Sequence, residues 1–361
     1  MDGPARVPQS GAMETFRNLV RAEFAPANTY LNTAGAGLPP ARAVSAVTRT
    51  AASAATGRFP DLLPDVEAGR AAFARIVGVH ADRVAVGSSV AVYSGLVATS
   101  LAPGSEVLTA EGDFSSLVNP FHVRGDLTVR SVPLERLAES VGPRTGLVAV
   151  SSVQSLDGRL VDLPGLRDAA RAHGARLLVD VSQSAGWLPI PADDVDYLVA
   201  VAYKWLFCPR GVAFLVTPAD LGGLVPVFAG WASGEDIGAS SYDRVDPLAR
   251  SARRFDGSPA LLPHAGARPA LELVEELGVD TVRAHDIGLA DRFRSGLASL
   301  GHEPVPAPGS AIVSVPGLGH RRGELSRAGV EVADRKGHLR AAFHVYNTAA
   351  DVDRLLDVLF G

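Results

Sequence analysis

At 361 residues the chain exceeds the usual size of a single hydrophobic core, so two lobes of unequal size are expected. A net charge of −5, with 47% hydrophobic and 20% charged residues, argues against a basic nucleic-acid or anionic-membrane surface and points to a small-molecule partner. A single cysteine can form neither an internal disulfide nor a cysteine-based metal centre, which excludes the disulfide-stapled secreted class and fits a reducing, cytoplasmic compartment.

The opening stretch, MDGPARVPQSGAMETF, has neither a basic start nor an apolar run, and so reads as neither signal peptide nor membrane anchor. Residues 1–10 are expected as a disordered tail, and 11–40 as a segment packing with the smaller domain. Six short runs then alternate with helical patterns: RVAVG at 83–87, SEVLTA at 105–110, GLVAVSSV at 146–153, ARLLVDVSQ at 175–183, VDYLVAVAY at 195–203 and GVAFLVT at 211–217. That rhythm predicts an α/β large domain over 41–258, built on a mostly parallel, doubly wound sheet covered on both faces. Between the third and fourth runs, LPGLRDAARAHGA sets Leu166, Ala169, Ala170 and His173 on one helical face and stops at Gly174. Residues 222–258 are rich in Gly and Ser without a period and read as an active-site loop, in which Arg253 is taken as solvated charge. From 259 to 361 long helices, the strand candidates SAIVSV (310–315) and LRAAFHV (339–345) and the closing helix AADVDRLLDVLF predict a smaller α+β domain.

Doubly wound sheets place ligands at the carboxyl ends of their strands. Asp180 in LLVDVSQSAG lies at such an end, with Gln183 three residues on; Lys204 closes the next strand, and Ser88-Ser89-Val90 turns the first strand into a helix. Taken singly, a strand-end aspartate can cap a loop, and a strand-end lysine is usually solvated.

In combination, VDVSQSAG and AYKWLFCPRGVAFL, with YLNTAGAGLPP (30–40) and LRAAFHVYNTAADVDRLL (339–356), resemble the class V aminotransferase family of fold-type I enzymes. The resemblance implies a fold-type I transferase architecture, pyridoxal 5'-phosphate as cofactor and a small amino-acid substrate. Lys204 matches the lysine that forms the Schiff base with the cofactor and serves as acid or base at the substrate Cα. Asp180 matches the carboxylate beside the pyridine nitrogen. Two unit charges about 4 Å apart at an effective dielectric near 20 interact by roughly 4 kcal/mol, or about three pKa units, enough to keep that nitrogen protonated. Gln183 matches the side chain that bonds the phenolic oxygen, and Ser155, beside Gln154, a polar position near it. Phe114 in EGDFSSLVNP matches the group that stacks on the ring, against the plainer reading of a core phenylalanine.

The phosphate turn departs from the family pattern. Gly87-Ser88-Ser89-Val90 stands where relatives often carry Gly-Thr-Thr, and the serine usual just before the lysine is replaced by Val201, Ala202 and Tyr203. Phosphate binding is therefore expected from backbone amides, Ser88 or Ser89, Tyr203 and Ser258. Ser258 lies in RRFDGSP, which resembles a turn that reaches the partner's site and so implies a homodimer with shared active sites. Arg340 matches the arginine that grips the substrate α-carboxylate, a task suited to a planar guanidinium, although an arginine more often serves in surface salt bridges. Asn32 and Ala34 would line the same pocket. Histidines 80, 122, 173, 285, 302 and 320 lack metal-ligand spacing, and no metal is expected.

The reaction turns on the cysteine count. A desulfurase of the usual kind needs a loop cysteine shortly before the carboxylate arginine, and GELSRAGVEVADRKGH has none; Cys208 reads as a buried structural thiol. The form KWL-x-x-PRGV resembles the subgroup of ergothioneine-type and S-cysteine-conjugate C–S lyases. It implies β-elimination from an S-substituted cysteine, giving a thiol, pyruvate and ammonia. Open alternatives are an aminotransferase, a decarboxylation-coupled oxidative deaminase of an S-cysteinyl conjugate and a non-catalytic binding protein of the same fold.

Overall fold

The computed structural model describes residues 10–361; positions 1–9 of the expected tail lie outside the described residues, and Ser10 opens the first helix. In chain order the elements are α1 (Ser10–Glu23), β1 (Thr29–Tyr30), α2 (Ala41–Ala55), α3 (Leu63–Val77), β2 (Val84–Gly87), α4 (Val90–Ser100), β3 (Glu106–Ala110), α5 (Ser115–Val123), β4 (Thr128–Val132), α6 (Leu137–Ser140), β5 (Thr145–Ser151), α7 (Leu163–His173), β6 (Arg176–Asp180), β7 (Tyr197–Val201) and β8 (Ala213–Val216). The remainder are α8 (Leu261–Leu277), α9 (Val279–Ser299), β9 (Ile312–Val315), α10 (Arg322–Arg327), β10 (Val330–Glu331), β11 (Ala333–Arg335), β12 (His338–Ala342) and α11 (Ala349–Phe360).

The large sheet has the order β2-β8-β7-β6-β5-β3-β4, and only β8 runs against the other six. All six expected strands form. β4 is an addition: TVRSV is half-exposed at the sheet edge and pairs only with β3, so it lacks the apolar run that marks a central strand. Because side chains alternate across a strand, Leu177, Val179, Leu198 and Ala200 enter one core with α3, α7 and α8, whereas Leu178, Tyr197, Val199 and Val201 enter another with α4 and α5. Burial on both faces explains why these strands read as continuous apolar runs. α7 buries Leu166 and Ala170 and ends at Gly174 in the left-handed region (φ 69°), while His173 is exposed.

A second sheet, β11-β12-β9, is antiparallel and packs with α9 and α11 around Phe293, Phe343 and Leu355. α8, placed by the sequence in the small domain, packs on α2 and α3, and the change of lobe falls along α9. The first described strand joins the smaller lobe: β1 pairs in parallel with β10, and Asn32 bridges to Ala342. No helix among the described residues is long and apolar enough to cross a membrane.

Candidate active site

Lys204 sits in the turn that reverses the chain between β7 and β8, at the carboxyl end of the parallel strands. The turn is tight, since Phe207 adopts φ 60° and its amide donates to the Lys204 carbonyl at 3.3 Å. Gly37 is pressed against it: its amide donates to the Tyr203 carbonyl at 2.9 Å, and a Cβ at Gly37 would stand 1.9 Å from the Lys204 carbonyl oxygen. Only glycine fits there.

The Lys204 side chain enters a cavity of about 260 Å³ shared with Asp180, Phe114, Tyr203, Ser182 and Val201, with Ser88, Ser89 and Val90 at one end and Ser116, Arg210 and Gly211 completing the wall. Lys204 and Asp180 are 5% and 4% exposed, so neither charge is screened by bulk water. Burial pulls the amine down to about 8; Asp180 opposes that shift, while the charges of Arg340, Arg210 and Arg335 add to it. Burial also raises the Asp180 carboxyl, against the pull of Lys204 and of the Ser182 amide, which donates to its Oδ1 at 2.8 Å. The Lys204 ammonium lies 5.2 Å from the Phe114 ring centre and 6.0 Å from that of Tyr203, and the Arg210 guanidinium stacks 4.1 Å from the Tyr203 ring.

At the serine end, Ser89 caps α4 by accepting from the Val92 amide at 3.3 Å, leaving the first turn of the helix directed at the cavity. Phe114 is held from behind by Asp113, whose carboxylate accepts from the Phe114 amide (2.6 Å), the Ser151 hydroxyl (2.5 Å) and amide (2.8 Å) and the Gln154 side chain (3.1 Å).

Seven sequence-predicted residues therefore meet around the cavity: Ser88, Ser89, Val90, Phe114, Asp180, Tyr203 and Lys204. Five others form an adjoining polar network rather than its lining. The Gln183 amide donates to Ala34 O (2.9 Å) and Ser155 Oγ (3.0 Å), and Arg340 donates to the carbonyl of Ser155, to its hydroxyl (3.1 Å) and, at 3.5 Å, to Asn32 Oδ1. Arg340 is 1% exposed, touches only neutral acceptors and leaves its Nε without a partner. Burial, assisted by Arg335, lowers it to about 9, so it remains charged at neutral pH. Ser258 lies apart on an exposed turn, where its hydroxyl accepts from the Trp231 indole at 3.3 Å. Arg253, expected as solvated charge, instead ties the 222–258 segment together by donating to the carbonyls of Gly234 (2.7 Å), Glu235 (3.0 Å) and Ala232 (3.4 Å).

Sequence reasoning missed Asp113, Ser116, Ser182 and Arg210. Asp113 and Ser182 stand at strand ends beside residues already singled out, so position alone could have found them; the Arg210 stack on Tyr203 depends on the folded turn. Cys208 is outside the cavity and buried. Its thiol points at the carbonyls of Leu206 (3.4 Å) and Ala267 (3.8 Å), and burial pushes its proton affinity well up.

The donor set suits a phosphorylated pyridine aldehyde. A buried amine can bond the aldehyde carbon, a buried carboxylate can face a ring nitrogen, an aromatic side chain can cover the ring, and hydroxyls at a helix N-terminus can hold a dianion. Comparison with known proteins agrees. The family model "Aminotransferase class-V" matches residues 61–355. The chain is 29% identical to the uncharacterized aminotransferase YcbU of Bacillus subtilis (strain 168), over 83% of this chain and 84% of that protein, and 29% identical to the isopenicillin N epimerase of Streptomyces clavuligerus, over 92% and 94%. Among solved structures, the cystine C–S lyase C-DES in complex with its product cysteine persulfide superposes with a TM-score of 0.83 at 25% identity, covering 92% of this chain and 97% of that one. With the family model spanning both lobes and the fold shared over nearly its whole length, this chain belongs to the class V aminotransferase family and is a pyridoxal-phosphate-dependent enzyme.

Proposed function

We propose that the enzyme is a cytoplasmic homodimer that cleaves the C–S bond of an S-substituted cysteine by β-elimination. The observation that carries this reading is a cavity built around a readily deprotonated lysine with no thiol in its wall, the chain's one cysteine being buried elsewhere. The similarity to a cystine C–S lyase over 92% of the chain supports it.

Bound pyridoxal phosphate supplies an electron sink for the bonds at the substrate Cα. Arg340, a buried guanidinium with only neutral contacts, holds the substrate carboxylate. Asp180 would hold a positive charge at the pyridine nitrogen, Phe114 would cover the ring, and Ser88, Ser89 and the first amides of α4 would hold the phosphate, all of them lining one cavity. Lys204 Nζ, lowered to about 8, takes the Cα proton. The Cβ–S electron pair leaves with sulfur, an accessible exit because a thiol near pKa 8.5 is a good leaving group; water then converts the three-carbon remainder to pyruvate and ammonia. Ser258 of each copy completes the phosphate contacts of the other, in keeping with its exposed position.

The test is incubation of cofactor-loaded enzyme with S-alkyl cysteines. Thiol and pyruvate in equal amounts are expected. Keto-acid exchange without thiol would establish transamination, and carbon dioxide with the thioether intact would establish the decarboxylating reaction. A second reading, epimerisation at Cα, rests on the full-length similarity to isopenicillin N epimerase; loss of optical rotation with no thiol would establish it. Lys204→Ala, freed of amino acids, should lose the visible band of a lysine-linked cofactor under every reading, and its persistence in that amine-free protein would sink the assignment of Lys204.

A further inference from the structure

Three successive backbone carbonyls of the lysine turn are each held by a donor. Tyr203 O accepts from the Gly37 amide, Lys204 O from the Phe207 amide and Trp205 O from His344 Nε2 at 3.1 Å. Only the third donor is a side chain, and it comes from the small lobe, just past the end of β12.

His344 is fully buried. Its Nδ1 lies 2.7 Å from Asp286 Oδ2 on α9, and Asp286, also fully buried, is 2.9 Å from His285 Nδ1 through its other oxygen. A carboxylate and a peptide carbonyl are both acceptors, so a neutral imidazole can satisfy only one of them and would turn a lone pair toward the other. The doubly protonated ring satisfies both and forms a compact ion pair with Asp286. The remaining surroundings suit a cation: the Phe207 ring stacks on the imidazole at 4.5 Å with an interplanar angle of 20°, and the Trp205 and Tyr346 rings stand at 5.0 and 5.7 Å. The titratable groups packed against the ring are Asp286 and His285 of α9 and Tyr346 of its own segment; the lysine turn offers aromatic faces, a carbonyl and, one residue away, Lys204.

We propose that His344, held as an imidazolium by Asp286, is a positioning residue that fixes the Lys204 turn from the small lobe. The network reaches further: the Trp205 indole donates to Gln183 Oε1 at 2.9 Å, Gln183 donates to Ser155, and Ser155 accepts from Arg340. The side chain of Trp205, the residue after Lys204, and the buried arginine are thus two ends of one hydrogen-bonded chain. Each is anchored in the segment that runs from β12 to His344.

The inference rests on Lys204 being the cofactor-linked amine, and its test separates the two. In cofactor-loaded enzyme labelled with nitrogen-15 histidine, the His344 ring, assigned by its loss in His344→Gln, should show two protonated nitrogens at pH 7. One protonated and one bare nitrogen would overturn the proposal whatever the cofactor does. The pH midpoint of the visible band reports the charge environment of the linked lysine. It should move by about half a pH unit or more in His344→Phe and Asp286→Asn, and by less in His344→Gln, whose amide can still donate to Trp205 O. An unmoved midpoint in folded His344→Phe would overturn the proposal; if that variant fails to fold, Asp286→Asn, His344→Gln and the ring signal carry the same decision. Lys204→Ala tests the cofactor linkage alone.

Discussion

Lys204 holds its proton loosely because the fold buries it, and that has a measurable cost. Its affinity in the folded protein is near 8 against an ordinary 10.5, so between those values the unfolded chain binds more protons and stability rises with pH. Below pH 8 the penalty is fully present. For protein stripped of cofactor, Lys204→Met should raise stability at pH 7 by up to about 3 kcal/mol, the equivalent of the shift, with the gain shrinking toward pH 10; denaturant unfolding across that range checks it. Asp180, deprived of its counter-charge, subtracts from the gain. Cys208 yields the opposite kind of expectation: Cys208→Ala should keep C–S cleavage within about two-fold, and the native thiol should resist alkylation until the protein unfolds, as mass spectrometry would show. Lys204 and Asp180 were legible as candidates because each closes a strand whose apolar run announces it, whereas Phe114 was singled out only by the resemblance of EGDFSSLVNP to a family motif. His344 and Asp286 were not, since 58 residues separate them and nothing local marks either as paired.

Among the elements, the β2–α4 turn shows how a departure from a sequence pattern is carried by structure. Its strand is anchored by a buried carboxylate: Asp256 accepts from the Val86 amide at 2.7 Å and from Arg70 at 2.6 and 3.3 Å, while its own carbonyl accepts from Ser233. Arg70 and Asp256 are nearly inaccessible, and removing Asp256 leaves the buried guanidinium with only the exposed Glu67 carboxylate as a charged partner. Asp256→Ala should therefore cost about 3–5 kcal/mol in unfolding measurements and weaken cofactor retention, because the same pair ties the serine turn to the segment carrying Ser258. The 222–258 segment read as an aperiodic loop, and its lack of helical or strand period is real. Its order comes from Arg253, Ser233 and short 3₁₀ turns, interactions that leave no periodic trace in a sequence. The edge strand β4 escaped notice for the related reason that half its side chains face water.

For the whole molecule, the alternation of strands and helices made the large lobe legible, whereas the allegiance of α8 was decided by packing against α2 and α3 that no local pattern encodes. The homodimer proposed from RRFDGSP carries its own test at this scale. Ser258 is exposed, and Val225, Val227, Phe228 and Tyr242 on the same segment, with Leu261 and Leu262 just after it, are exposed apolar side chains. If each Ser258 serves the partner's cavity, mixed dimers of Lys204→Ala with Ser258→Ala hold one site with both native residues and should recover activity that neither variant shows alone. Sedimentation should show the dimer in all three preparations.

The placement of β1 has a consequence for how the enzyme is made. The segment that presses Gly37 against the lysine turn has no strand partner until β10 is synthesised, and Asn32 and Tyr30 wait longer still, for Ala342 and Asn347. A chain truncated before residue 330 therefore lacks the strand that seats this segment, and is expected to retain the cofactor poorly, as its visible absorbance would show.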